Sequence, residues 1–344
     1  MRHVNIPIFI PHLGCPNQCI FCNQRFISGT QKFEISNVKN QIERTLSTIN
    51  DGDFCEIAFF GGSFTGIDRN LMISLLDIAE EYVRLGRVNS IRMSTRPDYI
   101  SIEILTILQK YSISYIELGI QTMNDSILAL LKRGHSVEDT ERAIKLIKDY
   151  GFKFIGQMMV GLPGSTIEDE LYCADKICSL GASGVRIYPT IVFQMTELAD
   201  MYYNGEYNAL SIEEAVERAS KVLRTVNERN VPCIRIGLCD SENLHSDETF
   251  IAGPNAPSIG EMVKSKVFYD TISENLGKQK ENIKNKSITI ECAVGLVSQV
   301  IGNKKTNINK LKNQFGISDV KVLENPSLSL FEINIMTKEE NPCD

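Results

Sequence analysis

Three cysteines near the N-terminus are spaced closely enough to bind metal together. They form the run Cys15-x-x-x-Cys19-x-x-Cys22, with Phe21 directly before the last cysteine. Thiolates at short, fixed spacings hold iron–sulfur clusters, so these three could bind three irons of a [4Fe–4S] cube. No fourth cysteine lies nearby in the sequence, so the fourth iron would stay open to a substrate or cofactor. A zinc site fits less well because structural zinc takes four ligands, and a disulfide pair is the other alternative.

The chain alternates between apolar runs and amphipathic stretches through about residue 237, a pattern typical of alternating strands and helices. Capping-box sequences beginning at Ser136, Thr166 and Ser211 predict three helix starts. This alternation implies parallel strands joined by right-handed crossovers, in too few units for a closed eight-stranded barrel. We expect an α/β fold, an open partial (β/α)6-type TIM barrel, with strands at 6–10, 57–60, 91–94, 115–120, 154–160, 184–188 and 233–236.

Residues of unusual type follow the first six predicted strands. In a barrel of this kind the chemistry lies at the carboxyl ends of the strands. A glycine after a strand is by itself only a turn signal, but here glycine or polar residues recur at the same end of successive strands. We therefore predict one site that gathers Cys15, Cys19 and Cys22 with Gly61, Gly62, Ser63, Ser94, Arg96, Gln121, Gly161, Gly164 and Tyr188.

The composition predicts a cytoplasmic enzyme with reduced thiols. The 344 residues include ten cysteines and carry a net charge of −7. No apolar run reaches the roughly eighteen residues that span a bilayer. The first residues lead directly into a strand rather than a secretory signal. Cysteines in such a chain indicate metal binding rather than disulfides, and we expect no membrane association.

The charge is unevenly distributed along the chain. From Lys278 to Glu324 there are nine lysines and four acidic residues, so this segment is basic and the remainder is acidic. That pattern is expected where one module touches a polyanion. For the stretch from Lys278 to Lys286 alone, a solvated linker is the simpler interpretation.

A small α+β domain is predicted at the C-terminal end. Two helices are expected between the first two of three strands, which we place at 288–292, 319–323 and 328–335. Between the helices, Gly302-Asn303-Lys304-Lys305 resembles the GxxG loop with which KH modules clamp backbone nucleotides. Lys305 stands in place of the second glycine, where it hinders close approach but adds positive charge for phosphate.

We therefore predict a barrel domain at 1–277, a basic linker at 278–287 and a KH-like domain at 288–344. Gly302, Lys304 and Lys305 are its candidate RNA-binding residues. The alternative is a docking or dimerisation appendage without a ligand.

Several blocks of the barrel region resemble the radical S-adenosylmethionine (radical SAM) enzymes. Within that superfamily the chain is most similar to the radical domain of the Elongator catalytic subunit and its bacterial relatives, over residues 4–268. CxxxCxxC is the most specific of the matching pieces. The others are AFFGGSF (58–64), RMSTRPDYI (92–100), ELGIQTM (117–123), KRGHS (132–136) and GLPG (161–164).

This resemblance implies a [4Fe–4S] cluster on Cys15, Cys19 and Cys22, with S-adenosylmethionine (SAM) bound at the open iron. The reduced cluster donates one electron, the sulfonium is cleaved, and a 5′-deoxyadenosyl radical abstracts a hydrogen atom from the substrate. The cofactors supply this chemistry, and the protein supplies orientation and exclusion of water. A flavodoxin or ferredoxin is the implied reductant.

The resemblance also implies which residues contact SAM. Gly61 and Gly62 would let backbone groups approach the amino group of SAM. Arg133 would bind the carboxylate, since guanidinium and carboxylate pair through two parallel hydrogen bonds. The remaining contacts implied are polar ones from Ser63, Ser94, Arg96 and Gln121, space for adenine at Gly161 and Gly164, and Tyr188 on the far side of the adenine.

Some of these residues have simpler interpretations. Arg96 and Arg133 could each be an ordinary ion-pair partner. His12 is more simply a structural histidine than a contact of the cluster or substrate, whereas His135 has either interpretation open.

The remaining cysteines are also open to interpretation. Cys173 and Cys178 lie in a predicted helix, where a small buried hydrophobic residue is the default. Cys233 and Cys239 flank the last predicted strand and could bind a second cluster, but no tight ligand group accompanies them.

Together these features predict a radical SAM enzyme that acts on RNA, most simply tRNA. The Elongator relatives modify wobble uridine with an acyl-CoA donor handled by a fused acetyltransferase domain, and no such domain fits the residues after the barrel. Residues 253–257 depart from the relatives, which place a histidine there, so the reaction itself is left open. Two other functions remain. One is a radical enzyme of small molecules resembling oxygen-independent coproporphyrinogen oxidase, and the other is a non-catalytic iron–sulfur protein that binds RNA or senses iron.

Overall fold

A computed structural model describes residues 2–15, 19–24, 33–50, 52–238, 246, 248–278 and 283–338 of the chain. The chain divides into two structural units. The first comprises Met1–Ser211 and Thr225–Asn255, and the second comprises Ile212–Arg224 and Ala256–Asp344. The predicted barrel strands lie in the first unit and the predicted C-terminal strands in the second.

A parallel sheet of seven strands forms the core of the first unit. They are β1 (His3–Phe9), β2 (Phe54–Phe60), β3 (Ser90–Thr95), β4 (Ile113–Gln121), β5 (Lys153–Val160), β6 (Gly184–Pro189) and β8 (Cys233–Ile236). They pair in the order β1-β2-β3-β4-β5-β6-β8, and every neighbouring pair is parallel. β1 and β8 lie at the two edges, which confirms the predicted α/β partial barrel. Two short strands, β7 (Val192–Phe193) and β9 (Phe250–Ala252), pair separately in antiparallel orientation.

Helices occupy most of the crossovers between these strands. They are α1 (Val38–Leu46), α2 (Arg69–Arg84), α3 (Ile102–Leu108), α4 (Asp125–Leu130), α5 (Val137–Asp149), α6 (Ile167–Ser179), α7 (Glu197–Tyr203) and α8 (Ile212–Glu228). Ser136 and Thr166 close complete capping boxes on α5 and α6, as predicted. α8 begins directly after Ser211. None of the helices within the described ranges is long and apolar enough to cross a membrane.

The second unit contains a three-stranded sheet. β10 (Ser287–Cys292) is central, with β11 (Asp319–Glu324) parallel on one side and β12 (Ile333–Lys338) antiparallel on the other. Helices α9 (Ile259–Gly277), α10 (Val297–Ile301) and α11 (Thr306–Phe315) accompany it, and the last two lie between β10 and β11 in the predicted order.

The expected start of the third C-terminal strand at residue 328 is wrong. Residues 328–332 form a turn, in which the Glu332 N–H donates to the Ser329 carbonyl at 3.1 Å. Phe331 has a left-handed backbone with φ of 65°, far from the extended conformation of a regular strand. The apolar side chains of this stretch suggested a strand, but the turn delays it to Ile333.

Helix α9 belongs to the second unit rather than to the barrel. Its Phe268, Ile272 and Leu276, spaced by four residues, are buried in one apolar cluster with Ile288 and Ile290 of β10. The second unit thus contains Ile212–Arg224 as well as Ala256–Asp344, and the predicted linker at 278–287 stays a prediction. The lysine-rich linker indicates where a helix ends, but it does not reveal which core that helix joins.

Candidate active site

A cavity of about 260 Å³ lies at the carboxyl ends of the barrel strands. That volume is close to the lower end of the range for small-molecule sites, about 300–1,000 Å³. The structure brings eleven of the thirteen predicted barrel-site residues into its wall: Cys15, Cys19, Cys22, Gly61, Gly62, Ser63, Ser94, Arg96, Gln121, Arg133 and Tyr188. The loops that follow successive parallel strands therefore do meet at one place, as the strand-end pattern indicates.

Backbone hydrogen bonds anchor the cysteine loop. The Ile20 N–H donates to the Leu131 carbonyl at 3.3 Å, and the Leu198 N–H donates to the Ile20 carbonyl at 2.8 Å. The Cys22 N–H donates to the Cys19 carbonyl at 2.9 Å, which closes a turn between the two thiols. Ile20 is buried in an apolar cluster with Leu131 and Leu198. The position of the last two cysteines is therefore set by chain segments more than a hundred residues away.

Glycines let the loop after β1 lie directly against the loop after β2. A Cβ at Gly62 would lie 2.4 Å from the Leu13 carbonyl oxygen, and one at Gly14 would lie 2.3 Å from the Ser63 carbonyl oxygen. The Ser63 N–H donates to the Leu13 carbonyl at 3.1 Å, and its Oγ lies 3.3 Å from the Cys15 Sγ. Gly62 is thus required by the packing of these two loops, whatever it offers a cofactor.

The donor set fits an iron–sulfur cluster. The three thiols line one cavity, and burial together with the neighbouring Cys19 raises the pKa of Cys22 to about 12. Such a thiol becomes a thiolate when a cation takes up its charge, as iron does. No three His, Cys, Asp or Glu side chains in the described part of the chain converge as ligands of a single ion would. A cube does not need that arrangement, since its cysteines bind three different irons.

Two buried arginines lie beside the cysteine loop. Arg133 donates from Nη1 to the Cys19 Sγ at 3.1 Å and from Nη2 to the Gly119 carbonyl at 2.5 Å. Arg96 donates to the Arg133 carbonyl and forks onto Asp98 at 2.9 and 2.8 Å. Arg96 is thus an ion-pair partner, one of the alternatives that the sequence left open. Arg133 has no carboxylate partner within the described ranges.

The two histidines near these motifs occupy different environments. His135 is buried, and its Nδ1 lies 3.8 Å from the Asp98 Oδ1. Burial and the neighbouring Arg133 lower the pKa of His135 to about 4. Neither ring nitrogen donates or accepts a hydrogen bond among the residues described. His12 lines the cavity, and its Nε2 accepts the Gln24 N–H at 3.0 Å, which supports the structural interpretation of His12.

Gln121 and Ser94 present polar atoms to the cavity. Gln121 has a left-handed φ of 71° next to a register shift between β4 and β5. Such strain in a non-glycine residue is concentrated at functional sites. Its Oε1 is buried and has no hydrogen-bond partner in the described part of the protein. The Ser94 Oγ accepts from the Gln157 Nε2 at 3.3 Å, a contact that does not use the proton of the serine hydroxyl.

Gly161 and Gly164 are not among the described residues that line the cavity. The Gly161 N–H donates to the Glu170 carboxylate at 2.6 Å, and its carbonyl accepts the Tyr207 hydroxyl at 2.7 Å. A Cβ at Gly161, where φ is 79°, would lie 2.5 Å from the Leu210 side chain. Local packing and turn geometry therefore account for this glycine, and space for adenine at Gly161 and Gly164 stays a prediction.

Sequence reasoning missed a polar network inside the barrel. Glu117 is fully buried, lines the cavity and lies 2.8 Å from the Arg186 Nε and 3.2 Å from the Arg92 Nη1. The Gln157 Nε2 donates to Glu117 at 2.9 Å, and Arg92 also pairs with Glu56 at 2.9 Å. The sequence signal for this network was the presence of charged residues within otherwise apolar strands. Strands that are buried on both faces rarely carry charged residues. Each carboxylate has a cationic partner, as buried charges require.

The other cysteines in the described part of the chain are not among the residues that line this cavity. Cys173 and Cys178 are buried in α6, which confirms the interpretation as core residues, and burial raises the pKa of both thiols. Cys233 begins β8 and its thiol donates to the Arg235 carbonyl at 3.6 Å. Cys239 lies outside the described residues, so a second cluster there stays an expectation.

The loop between α10 and α11 has an unusual backbone. Gly302 has φ of 77°, and a Cβ there would lie 2.7 Å from the Thr306 Oγ1. Lys304 and Lys305 are exposed and left-handed, with φ of 49° and 61°, and the Lys305 N–H donates to the Gly302 carbonyl at 3.0 Å. Lys305 thus adopts the conformation that favours glycine, at a cost of about 1 kcal/mol. Glycine adopts a left-handed backbone without this cost, which gives a physical reason for a second glycine at position 305 in a GxxG loop.

Comparison with known proteins gives two family matches along the barrel region. A model of the Radical SAM superfamily matches residues 9–175, and a model of the Radical_SAM C-terminal domain matches residues 182–268. The chain is 32% identical over 217 residues to the uncharacterized protein MJ0486 of Methanocaldococcus jannaschii, covering 60% of this chain and 66% of that protein.

Two further proteins are similar in sequence or in fold. The chain is 41% identical over 128 residues to the tRNA uridine(34) acetyltransferase of Methanocaldococcus infernus, covering 36% of this chain and 24% of that protein. The solved structure of archaeal M. infernus Elp3 with an N-terminal deletion has a TM-score of 0.60 at 23% identity, covering 80% of this chain and 63% of that chain. The latter similarity concerns the fold alone. The alignments span 66% and 24% of the lengths of the two curated relatives.

Proposed function

The chain belongs to the radical SAM superfamily, and from that premise we propose that it is an enzyme that modifies RNA, with tRNA as the substrate. Enzymes of this superfamily bind a [4Fe–4S] cluster and SAM. When bound, the reduced cluster would give one electron to SAM, whose C5′–S bond would break to release methionine and a 5′-deoxyadenosyl radical that takes a hydrogen atom from the substrate.

The observation that carries the proposal is the meeting of the CxxxCxxC thiols with polar strand-end residues around one cavity. Cys15, Cys19 and Cys22 would hold the cluster. The Ser94 hydroxyl and the unpaired amide oxygen of Gln121 lie at this cavity, which suits polar contacts to the ribose or methionyl part of SAM.

Other residues of the cavity would enclose the cofactor. Gly61, Gly62 and Ser63 would approach the amino group of SAM, and Tyr188 would lie beside the adenine. Apolar side chains of Phe9, Phe60, Met159, Ile191 and Phe193 form much of the remaining wall. An apolar wall keeps water from a reactive intermediate, which is what radical chemistry requires of the protein.

Two observations support RNA as the substrate class. One relative is named for action on uridine 34 of tRNA, although the alignment covers only 24% of that protein. The second unit carries a kinked loop with two adjacent exposed lysines, Lys304 and Lys305, between two helices. Exposed lysines attract phosphate without regard to sequence, so Gly302, Lys304 and Lys305 would contact the RNA backbone.

The proposal includes an electron donor and a compartment. A low-potential flavodoxin or ferredoxin would reduce the cluster, by resemblance to the superfamily. Because reduced thiols and a low-potential cluster require a reducing environment, we place the protein in the cytoplasm.

The test is a strictly anaerobic assay of the full chain. The protein is reconstituted with iron and sulfide and reduced with dithionite, and 5′-deoxyadenosine is quantified with and without total tRNA. We expect a basal signal that rises with tRNA and disappears in Cys19→Ala. A basal signal indifferent to RNA would shift the function to a small-molecule substrate. No product from protein that holds its full cluster would indicate a binding or sensing role.

A further inference from the structure

We propose that Arg133 is a positioning residue for the cluster, whose guanidinium donates a charge-assisted hydrogen bond to the Cys19 sulfur and makes the cluster easier to reduce. This inference rests on the proposed cluster at Cys15, Cys19 and Cys22. It departs from the resemblance, which assigns Arg133 to the carboxylate of SAM.

The contacts of the guanidinium support this assignment. Both terminal nitrogens are engaged, Nη1 with the Cys19 Sγ at 3.1 Å and Nη2 with the Gly119 carbonyl at 2.5 Å. Gly119 makes the second contact possible, because a Cβ there would lie 3.2 Å from the Arg133 Nη2. The guanidinium is therefore oriented by the backbone of β4 and faces a cluster ligand.

The backbone of Arg133 is held from both sides. Its N–H donates to the Leu128 carbonyl at 3.0 Å, and its carbonyl accepts from the Arg96 guanidinium. Arg96 is in turn clamped by the Asp98 carboxylate at 2.9 and 2.8 Å. Left-handed residues on each side, Lys132 with φ of 55° and Gly134 with φ of 70°, turn the chain sharply at this point. Such support fixes a side chain before any ligand binds, as second-shell residues of metal sites do.

The electrostatics give the contact its effect. The Arg133 guanidinium is a cation and the residue is 5% exposed, so water screens its charge poorly. One-electron reduction adds negative charge to a cluster that already carries three thiolates. A fixed cation at the sulfur of one ligand stabilises the reduced state more than the oxidised state, and hydrogen bonds to the sulfurs are known determinants of cluster potential.

The first experiment compares Arg133→Met, which removes charge and donor, with Arg133→Lys, which keeps both. The midpoint potential of the reconstituted cluster is measured by anaerobic titration with EPR detection, and the Kd for SAM is measured on the same samples. In Arg133→Met we expect at least a tenfold shift of the ratio of reduced to oxidised cluster, about 59 mV more negative for one electron. Arg133→Lys should recover most of this shift, and the Kd for SAM should change less than about twofold.

Lys132→Met is the matched control, because it removes the same charge one residue away. The Lys132 side chain is 58% exposed and pairs with Glu197, so water screens it and the potential should not move. An unchanged potential in Arg133→Met together with a tenfold rise of the Kd for SAM would overturn the proposal in favour of the carboxylate contact.

A second measurement needs no substitution that affects folding. The unmodified chain is prepared with ¹⁵N-labelled arginine, and pulsed EPR of the reduced cluster should detect coupling to a guanidinium nitrogen. Absence of that coupling would overturn the inference. Neither measurement requires turnover, so the role of Arg133 and the proposed substrate are tested separately. Nitrogen coupling in the EPR spectrum, without RNA-stimulated formation of 5′-deoxyadenosine, would reject the proposed substrate and leave the role of Arg133 intact.

Discussion

The barrel site and the Gly302–Lys305 loop both present positive charge, but in opposite environments. In the barrel, Arg96 and Arg133 are 3% and 5% exposed, and their nitrogens bond to named atoms. In the loop, Lys304 and Lys305 are exposed. A buried guanidinium in fixed geometry acts strongly on one partner, whereas an exposed ammonium attracts any phosphate and is screened by salt. The first arrangement suits chemistry at a defined atom, and the second suits affinity for a polyanion.

The barrel site and the Gly302–Lys305 loop also differ in how a strained backbone is held in place. Gln121 is left-handed at a register shift, where it pairs with Met158 of β5. Lys305 is left-handed in an exposed loop, where only the Gly302 contact and the start of α11 constrain it. Strain that the surrounding structure enforces can orient a side chain toward a ligand, whereas strain in a loop mainly lowers stability.

The largest expected effect is loss of the cluster. Cys19→Ala should reduce bound iron and 5′-deoxyadenosine formation to background, because two thiolates do not hold the cube. Iron content and product are measured after anaerobic reconstitution. Cys233→Ala is the matched control and should keep both, since Cys233 lies outside the cavity wall. Loss of iron in the control as well would point to the second cluster.

The next effect tests the buried charge network of the barrel. Glu117→Gln should lower the free energy of unfolding by about 3 kcal/mol, because Arg186 would lose its buried countercharge. Urea denaturation monitored by circular dichroism measures the change. Glu43→Gln removes a carboxylate of the same size from an exposed pair with Arg87 and should have a much smaller effect. Equal losses of unfolding free energy in both variants would mean that the buried network and the exposed pair contribute equally to stability.

The third effect concerns the exposed loop. Replacement of Lys304 and Lys305 by Ala should weaken tRNA binding about tenfold at low salt and reduce the slope of log K against log salt by about 2. Filter binding at several salt concentrations measures both quantities. Lys321→Ala, on exposed β11, removes a lysine of the same unit. If that control weakens binding equally, the loop has no special role.

The smallest effect is conformational. Lys305→Gly should stabilise the loop by about 0.5–1 kcal/mol, because glycine adopts the left-handed backbone without strain. Hydrogen exchange of the α11 amides should slow accordingly. Lys310→Gly, in the interior of the same helix, should accelerate exchange, since glycine there costs about 1 kcal/mol. Faster exchange in both variants would contradict the strain assigned to Lys305.

Local patterns predicted much of the fold. Seven barrel strands and the capping boxes of α5 and α6 follow from residues adjacent in sequence. The start of the third C-terminal strand was wrong because there a local pattern competes with packing. An apolar run suggested a strand at 328–335, but Phe331 forms a left-handed turn and packs on Phe268 of α9 with the ring centroids 5.2 Å apart. Likewise, the core that α9 joins is decided by partners in β10 that lie beyond the linker.

The site was predicted unevenly for the same reason. Strand ends of a parallel sheet must meet, so the positions of Cys15, Ser94 and Gln121 near one cavity could be expected. The roles of Glu117 and Arg186 were missed because a single charged residue in a buried strand has no evident function next to its apolar sequence neighbours. Each side chain is explained by its ion-pair partner, which lies 69 residues away in sequence.

By itself, the sequence determined the spacing of the three thiols, the order of strands and helices, and the edge of the barrel at which the cavity lies, because spacing and periodicity are local properties. Only the tertiary structure decided what each polar group contacts. Gly62 serves the packing of two loops, and Arg133 meets the sulfur of Cys19, a residue 114 positions earlier. Hydrogen bonds and charge interactions depend on distances of a few ångströms between atoms that only folding brings together.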